Sequence, residues 1–499
     1  MTIPLDDAKN GERTWRVAVI GAGLTGLSAA HRLGEVCQQT GRPLELEVFE
    51  ASGRAGGAIE TERMGDYLVE RGPDSFISSK PSAVELCQRL ELEDQLIATD
   101  DAYRRSLVLR RGRPVPVPEG FLLVSPAKVG PILASPIFSP WGKLRMGLEY
   151  LVPRRAADDD ESLASFVRRR FGRETLDRLV QALVGGIYTS DPETLSLKAT
   201  MPRFLEMERE HRSLIRAVRR QAASSLQTSQ KDSGARYSMF LTLRGGLSSL
   251  IERLVARVEE IGRLRLGTAV SHLRKVESGE PGRNNNAWQV TLDDKTVETY
   301  DAVVVALRTY HAAGLLLDCD AGLAESLKNI DYATSVVVLS GHRLADIQHP
   351  LNAFGLVIPA IEKRRVLAVS FSSRKFPGRA PEGRVLLRSF VGGAMQPEEA
   401  AASDEQIAET VKGELSSLLG VSGDADFTVV SRHNQAMPQY AVGHLDRVAD
   451  IERQVAKHGG LELAGNAYRG VGIPDSIHSA ENAVDRLCAA ENQRVTEVL

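Results

Sequence analysis

The chain is poor in cysteine, in aromatic residues and in long apolar runs. Four cysteines, Cys37, Cys87, Cys319 and Cys488, lie scattered through 499 residues with no CxxC pair. That excludes a disulfide framework and a cysteine zinc site, and suits a reducing compartment, so a cytoplasmic location is expected. No run of about 20 apolar residues is present, so no membrane-spanning helix is expected. Residues 1–14 are polar, so the chain reads as one without a secretory leader. Basic and acidic residues nearly balance, at 62 and 65, which leaves no electrostatic footprint for a nucleic-acid partner. No repeat and no low-complexity tract breaks the chain. No Ser/His/Asp set, paired carboxylates or metal-ligand cluster stands out, so no catalytic side chain and no metal ligand is expected.

What is present is glycine at chosen places. The apolar run Arg16–Ile20 ends in Gly21-Ala22-Gly23-Leu24-Thr25-Gly26, and a helical pattern follows with Leu27, Ala30 and Leu33 on one stripe. Gly21 permits the turn out of the strand, Gly23 lets backbone approach a pyrophosphate, and Gly26 lets the helix lie against the strand. Phosphates then meet the free N–H groups of a helix N-terminus. Leu44–Phe49 reads as a second strand ending at Glu50, 24 residues after Gly26, where a carboxylate suits an adenosine ribose. Bare backbone recurs at Gly56-Gly57 and at Gly72-Pro73-Asp74-Ser75, with Arg54 in reach of a phosphate. A long flat ligand needs such backbone, which favours extended FAD over NAD. The alternative for each cluster alone is an ordinary turn.

At 499 residues about three lobes are expected, at roughly 150 residues each. Residues 120–230 read as mostly helical. Phe121–Val152 is the most apolar part and carries Phe138, Trp141, Lys143 and Arg145, a mixture suited either to a membrane surface or to a buried helical lobe. Asp158–Glu161 reads as a charged linker, Arg168–Arg173 as a solvated helix face, and Gln227–Arg236 as an exposed loop. The prolines of Val115–Pro118 rule out a central strand. Tyr300–Leu307 is almost continuously apolar, as in a strand buried on both faces. Ser335–Leu339, Val366–Phe371 and Arg384–Phe390 read as strands, and Asp404–Leu419 as a helix with Ile407, Val411, Leu415 and Leu418 on one face. Phe354–Pro359 and Phe390–Gly393 set apolar side chains beside glycine, which suits a wall for a flat apolar molecule or simple core packing. Near the end, Leu461–Asn466 reads as a strand. Tyr468–Asp475 then turns into a helix whose N-terminus favours negative charge, with capping by Asp475 or Ser476 as the plainer reading.

Taken in order, GAGLTG (21–26), FEASGRAGG (49–57), GPDSF (72–76), GGIYTSDPETLS (185–196), LRGGL (243–247), MPQYAVGH (437–444) and GVGIPD (470–475) resemble the flavin-containing amine oxidase superfamily. Within it the chain resembles the oxygen-dependent protoporphyrinogen oxidase and coproporphyrinogen III oxidase family, to which GGIYTSDPETLS and MPQYAVGH are specific. The resemblance implies an α/β fold with a Rossmann-type FAD-binding domain at 1–90, 239–306 and 435–499. It implies a helical domain at 105–214, often membrane-associated in relatives, and an interleaved α+β substrate domain at 91–104, 215–238 and 307–434. FAD contacts map onto Gly21–Gly26, Glu50, Ala51, Gly72–Ser75, Val270, Val471, Gly472 and Ile473, to which the residue reading adds Arg54 and Gly57. Substrate contacts map onto Arg105, Phe354, Gly355, Val357 and Phe390. The chain departs from relatives at His433, where many bacterial members carry Trp, and at Arg308, where Pro is common.

The implied activity is oxidation of protoporphyrinogen IX to protoporphyrin IX by FAD and oxygen, removing six hydrogens and releasing hydrogen peroxide. The alternative is the same chemistry on coproporphyrinogen III. The chemistry expected is hydride transfer from a meso carbon to the flavin, with Arg105 on a propionate and Phe354, Val357 and Phe390 against the ring. Four propionates would call for more cations, from Arg104, Arg105, Lys363, Arg364 and Arg365. A polyamine or monoamine oxidase, a carotenoid desaturase and a non-enzymatic porphyrin-binding protein are the rival readings. Aromatic residues at 5% leave little for the cage a free amine needs. Expected partners are the porphyrinogen and oxygen. A peripheral position on the cytoplasmic membrane face, a homodimer and a hand-off to the next haem-pathway enzyme are left open.

Overall fold

The strand Trp15–Ile20 sits at the centre of a five-stranded sheet, in the order 262–265, 44–49, 15–20, 302–305 and 461–463. Every neighbouring pair is parallel. The structure, a computed structural model, describes residues 14–126, 128–157, 159–220, 239–276 and 287–498. The loop expected over Gln227–Arg236 lies outside these residues. Side chains alternate between two cores. Val17, Val19, Leu46 and Val304 face the first helix, Leu24–Thr40, together with the helices Ser248–Ile261 and Ile473–Val498. Ala18, Ile20, Phe49, Val303 and Val305 face Trp288, Tyr300 and the helix Thr309–Leu316. Burial on both faces is why Tyr300–Leu307 reads as an unbroken apolar run.

A second sheet has seven strands, in the order 427–438, 332–343, 384–392, 368–371, 355–357, 106–110 and 113–116. Arg113–Pro116 is its edge, where missing proline N–H groups cost nothing. The resemblance places residues 106–116 within the helical domain 105–214. They belong instead to this sheet, because Ser106–Val108 pairs in parallel with Gly355–Val357. The long strand Phe427–Pro438 was not anticipated; its polar residues give no apolar alternation to read. The back face, with Val336, Val338, Leu387 and Val369, packs on Ile407, Val411, Leu415 and Leu418 of the helix Asp404–Leu419. That helix has a capping box of Ser403 and Gln406 and ends at Gly420 in the left-handed region. The front face is set by register, with Val337, Phe390, Ala368, Val357 and Val108 side by side across five strands.

The third unit is helical and has its own core, including Phe138, Phe166, Phe171, Leu179 and Phe204. Here Arg168–Arg173 is not the solvated face expected. Arg170 is 0% exposed, paired with Glu149 and lying 3.4 Å from Glu208. It follows Leu163, Phe166 and Val167 on the inner stripe of one helix, so its charge needs buried carboxylates. Glu161 likewise pairs with Arg169, at 2.6 Å, and Asp160 accepts the Ser196 hydroxyl, so these two residues of the expected linker are structural. The apolar stretch divides. Ile132, Ile137, Phe138 and Met146 are buried, while Leu133, Leu144, Leu148 and Leu151 are exposed and Trp141 is 78% exposed. Among the described residues no helix is long and apolar enough to cross a membrane.

Candidate active site

The first glycine loop is built as its spacing requires. Gly21 has φ +102°, and a Cβ there would lie 2.7 Å from the Ala306 carbonyl oxygen. A Cβ on Gly26 would overlap the Gly21 carbonyl. Gly23 differs. Its φ of −70° is open to any residue, and a Cβ there would meet nothing closer than the Gly57 Cα, at 3.8 Å. The bare Cα atoms of Gly23 and Gly57 thus lie close together, and the two segments are joined by a Gly23–Gly56 bridge and a Gly56 N–H to Ala22 carbonyl bond of 2.8 Å. The first helix has no side-chain cap and no acid in its first turn, so its N–H groups are left for an anion. Leu24 is buried behind the loop and Thr25 half-buried.

Glu50 stands at the end of the second strand. Its Oε2 accepts the Ala22 N–H at 2.8 Å and its Oε1 the Ser52 N–H at 2.9 Å, which fixes the carboxylate at the loop's mouth. A carboxylate has about four acceptor sites, so capacity for a ribose hydroxyl remains. Ala51 is exposed beside it, and Thr268 N–H to the Glu50 carbonyl (2.8 Å) brings the strand of Val270 alongside. Arg54 departs from expectation. Its guanidinium donates to the carbonyls of Gly57 (2.7 Å), Ala55 and Ile59 (both 3.2 Å), so it pins the glycine loop instead of extending outward.

At the second loop, a Cβ on Gly72 would overlap the Ala58 carbonyl, so the two glycine segments touch backbone to backbone. Pro73 and Ser75 are half-buried there. The Asp74 carboxylate does not face the loop's open side. It pairs with Arg388 at 2.9 Å and Lys375 at 3.2 Å, both from the second sheet's region. Burial opposes its ionisation, but those two cations hold the carboxyl well below the usual carboxylate range. His433 lies across from Ser335 and donates through Nε2 to the Arg71 carbonyl at 3.0 Å; burial pushes its pKa down, so it is a neutral donor here.

The segments GGIYTSDPETLS (185–196) and MPQYAVGH (437–444) meet in space. Ser196 N–H reaches the Tyr440 carbonyl at 2.7 Å, and Val442 N–H reaches the Thr194 carbonyl at 2.9 Å. Tyr440 Oη then donates to the Asn466 carbonyl and accepts the Gly470 N–H, both at 2.7 Å. Its ring stacks on His444 at 3.9 Å. Burial lowers the His444 pKa to about 4, and its Nε2 donates to the Tyr468 carbonyl. Tyr440 therefore sets the turn that launches the final helix at Val471, Gly472 and Ile473. Asp475 caps that turn through the Gly472 N–H at 3.2 Å and pairs with Lys80 at 2.5 Å.

The expected substrate residues gather on the second sheet. Gly355, Val357 and Phe390 share its front face, all half-buried. A Cβ on Gly355 would sit 2.5 Å from the Val369 carbonyl oxygen. Phe354 precedes the strand, its N–H bound to the Arg105 carbonyl at 2.9 Å. Arg105 is exposed just before the strand 106–110 and, among the described residues, its side chain has no ion-pair partner. Lys363 is likewise exposed and unpaired among them, whereas Arg364 pairs with Glu414 and Arg365 with Glu399. A groove of about 480 Å³ opens on the opposite face, between the helix Asp404–Leu419 and the sheet, and touches none of these residues. Arg388, Lys375 and Tyr440 were missed as site residues. Only Tyr440 had a signal, as part of MPQYAVGH.

Strand, glycine loop, uncapped helix and terminal acid define a dinucleotide-binding α/β protein of the Rossmann type. The chain belongs to the flavin-containing amine oxidoreductase family, whose profile matches residues 24–488. Within that family it is 34% identical to coproporphyrinogen III oxidase of Bacillus subtilis (strain 168), over 94% of this chain and 97% of that one. It is 29% identical to the chloroplastic protoporphyrinogen oxidase of Nicotiana tabacum, over 93% of this chain and 83% of that one. A crystal structure from Exiguobacterium sp. 255-15, assigned as a protoporphyrinogen oxidase, superposes with a TM-score of 0.81 at 26% identity, covering 96% of this chain and 99% of that one. The open cradle at Gly23 and Gly57, the uncapped helix and the carboxylate of Glu50 fit a flavin dinucleotide.

Proposed function

We propose that this chain oxidises coproporphyrinogen III to coproporphyrin III, with FAD as cofactor and oxygen as final acceptor, in haem biosynthesis. The observation that carries the substrate is the 34% identity to a coproporphyrinogen III oxidase across 97% of its length, against 29% across 83% for a protoporphyrinogen oxidase. This reverses the order that the family resemblance implied. Arg105 and Lys363, exposed and without an ion-pair partner among the described residues, lie beyond opposite ends of the strand Gly355–Val357 and are cations available to carboxylates.

Bound flavin supplies the hydride acceptor; the side chains supply place and surroundings. Phe390 and Val357 form a half-open apolar wall against which a flat macrocycle packs, and burying it there excludes water from the saturated carbons. Phe354 adds a ring at the rim. Arg105 holds a propionate; a charge-assisted bond of this kind is worth about 1.5–3 kcal/mol when sheltered, and less at an exposed rim. Gly23, Gly57 and the first helix hold the pyrophosphate, Glu50 a ribose, and the turn at Val471–Ile473 the far end of the cofactor. No side chain is assigned to move a proton. The exposed apolar set from Leu133 to Leu151 is the surface we assign to a membrane face.

The test is turnover in air by the purified, flavin-loaded protein, followed by porphyrin fluorescence and peroxide. The proposal expects kcat/KM for coproporphyrinogen III to exceed that for protoporphyrinogen IX. Faster turnover of protoporphyrinogen IX overturns the substrate, and turnover of neither overturns the activity.

A further inference from the structure

Behind the Gly72–Ser75 loop lies a cluster of charges that no step above uses. Asp74 takes Arg388 and Lys375 together, Arg388 also donates to the Gly72 carbonyl, and Lys375 donates to Ser75 Oγ at 2.8 Å. Arg388 is 3% exposed, and its Nε is buried with no partner among the described residues. The Lys375 ammonium is shielded by the rings of Phe240 and Phe376, each 5.1 Å away. Two further buried charges stand beside the cluster. Glu70 accepts the Leu247 N–H and the Thr61 hydroxyl, and Arg379 donates to the Leu243 and Arg244 carbonyls. Glu70 and Arg379 offset each other. Lys375 and Arg388 against Asp74 leave one positive charge in excess, in a place where salt does not screen it.

The location gives that excess a use. Arg388 is on the front face of the second sheet, two residues from Phe390 and in register with Ser370 and, through it, Gly355. Asp74 belongs to the loop assigned to the cofactor. The cluster thus joins the substrate wall to the cofactor loop. A pair serving stability alone needs matched charge, and buried pairs are a weak source of stability in any case. Arg388 is sealed by protein, so it acts at a distance and not by contact.

We propose that Lys375, Arg388 and Asp74 are positioning residues whose excess positive charge, held beside the Gly72–Ser75 loop, favours the negative charge that a bound flavin gains when it accepts a hydride. This rests on the assignment of that loop to FAD. It makes the charge count, not the fold of the loop, the controlling quantity.

The test is the midpoint potential of bound FAD, read by absorbance against a reference dye. Arg388→Met takes the excess to zero and is expected to lower the potential by about 30 mV, tenfold in the two-electron equilibrium constant. Asp74→Asn takes it to two and is expected to raise the potential by a similar amount. Arg388→Lys is expected to keep the wild-type value. A disrupted loop would move both variants the same way, so shifts of one sign, or no shift, overturn the proposal. Should Arg388→Met not fold, Lys375→Gln decides, and must lower the potential. FAD affinity separates the two readings. If Gly23→Ala binds FAD as tightly as wild type, the cofactor assignment fails; if that variant loses FAD while the charge variants leave the potential unmoved, only the present proposal fails.

Discussion

The parallel sheet and the seven-stranded sheet are buried in different ways. The first has helices and side chains against both faces, and Val17, Ala18, Val19, Val303 and Val304 are all fully buried. The second is sealed behind, and in front Val337, Leu339, Leu386, Arg388 and Val108 are buried as well, while a patch of Gly355, Val357 and Phe390 stays half-buried. Leu387 on the back of one strand is fully buried, while Phe390, three residues on and facing forward, is half-buried, as are Val357 and Gly355. A β-strand places neighbours on opposite faces, so this strand turns Leu387 to the back core, while on its front Leu386 and Arg388 are buried and Phe390 stays partly open. An apolar patch that the chain leaves partly open is where a ligand can complete the burial. In the first sheet the place proposed for the cofactor is instead at the strand ends, over bare glycine.

The largest effects should come from the glycine loop, and they should separate. Gly26→Val forces a side chain into the Gly21 carbonyl and should cost about 3 kcal/mol or more, seen as loss of soluble folded protein. Gly23→Ala has room in the fold, so melting of the flavin-free protein should stay near wild type while flavin affinity falls at least about 100-fold. Next, Leu387→Ala should lower stability by roughly 2–5 kcal/mol in denaturant melts yet leave kcat/KM per folded molecule within twofold. Phe390→Ala should do the reverse, cutting kcat/KM roughly 30–150-fold, about 2–3 kcal/mol, with little change in melting. If both behave alike, the two faces do not have separate work.

The junction of the lobes carries a pH dependence. His444 has an ordinary pKa of 6.5 when unfolded and about 4 when folded, because burial under Tyr440 disfavours its charge. As pH falls below 6.5 the unfolded chain takes the proton first, so stability is lost down to about pH 4 and levels off below it. The loss from this group is about 3 kcal/mol. His31, also lowered to about 4 by burial, adds a similar term. His444→Gln should remove its share of the slope in acid melts. The smallest effect is at the rim: Arg105→Ala should raise KM for coproporphyrinogen III about 3–10-fold, since an exposed pair is weakened by solvent.

Legibility in the sequence follows the same contrast. The strand at 302–305, the helix Asp404–Leu419 and the glycine loop were readable because their periods and spacings are local. Arg170 was misread because its compensating carboxylate, Glu149, lies 21 residues away. Lys375 and Arg388 had no signal at all, since the residue that gives them meaning, Asp74, is some 300 positions earlier in the chain. Strand 427–438 escaped because an edge strand with polar residues on both faces has no alternation to show.

The central claim is that the half-open patch of Gly355, Val357 and Phe390 on the front face of the second sheet is the substrate wall beside the flavin. Its most direct test is anaerobic rapid mixing of the flavin-loaded protein with coproporphyrinogen III, following loss of flavin absorbance in a single turnover. The account predicts bleaching in the wild type and in Leu387→Ala at similar rates, and bleaching about 100-fold slower in Phe390→Ala at equal subsaturating substrate. Equal rates in Phe390→Ala and wild type, or no bleaching in the wild type, would contradict it.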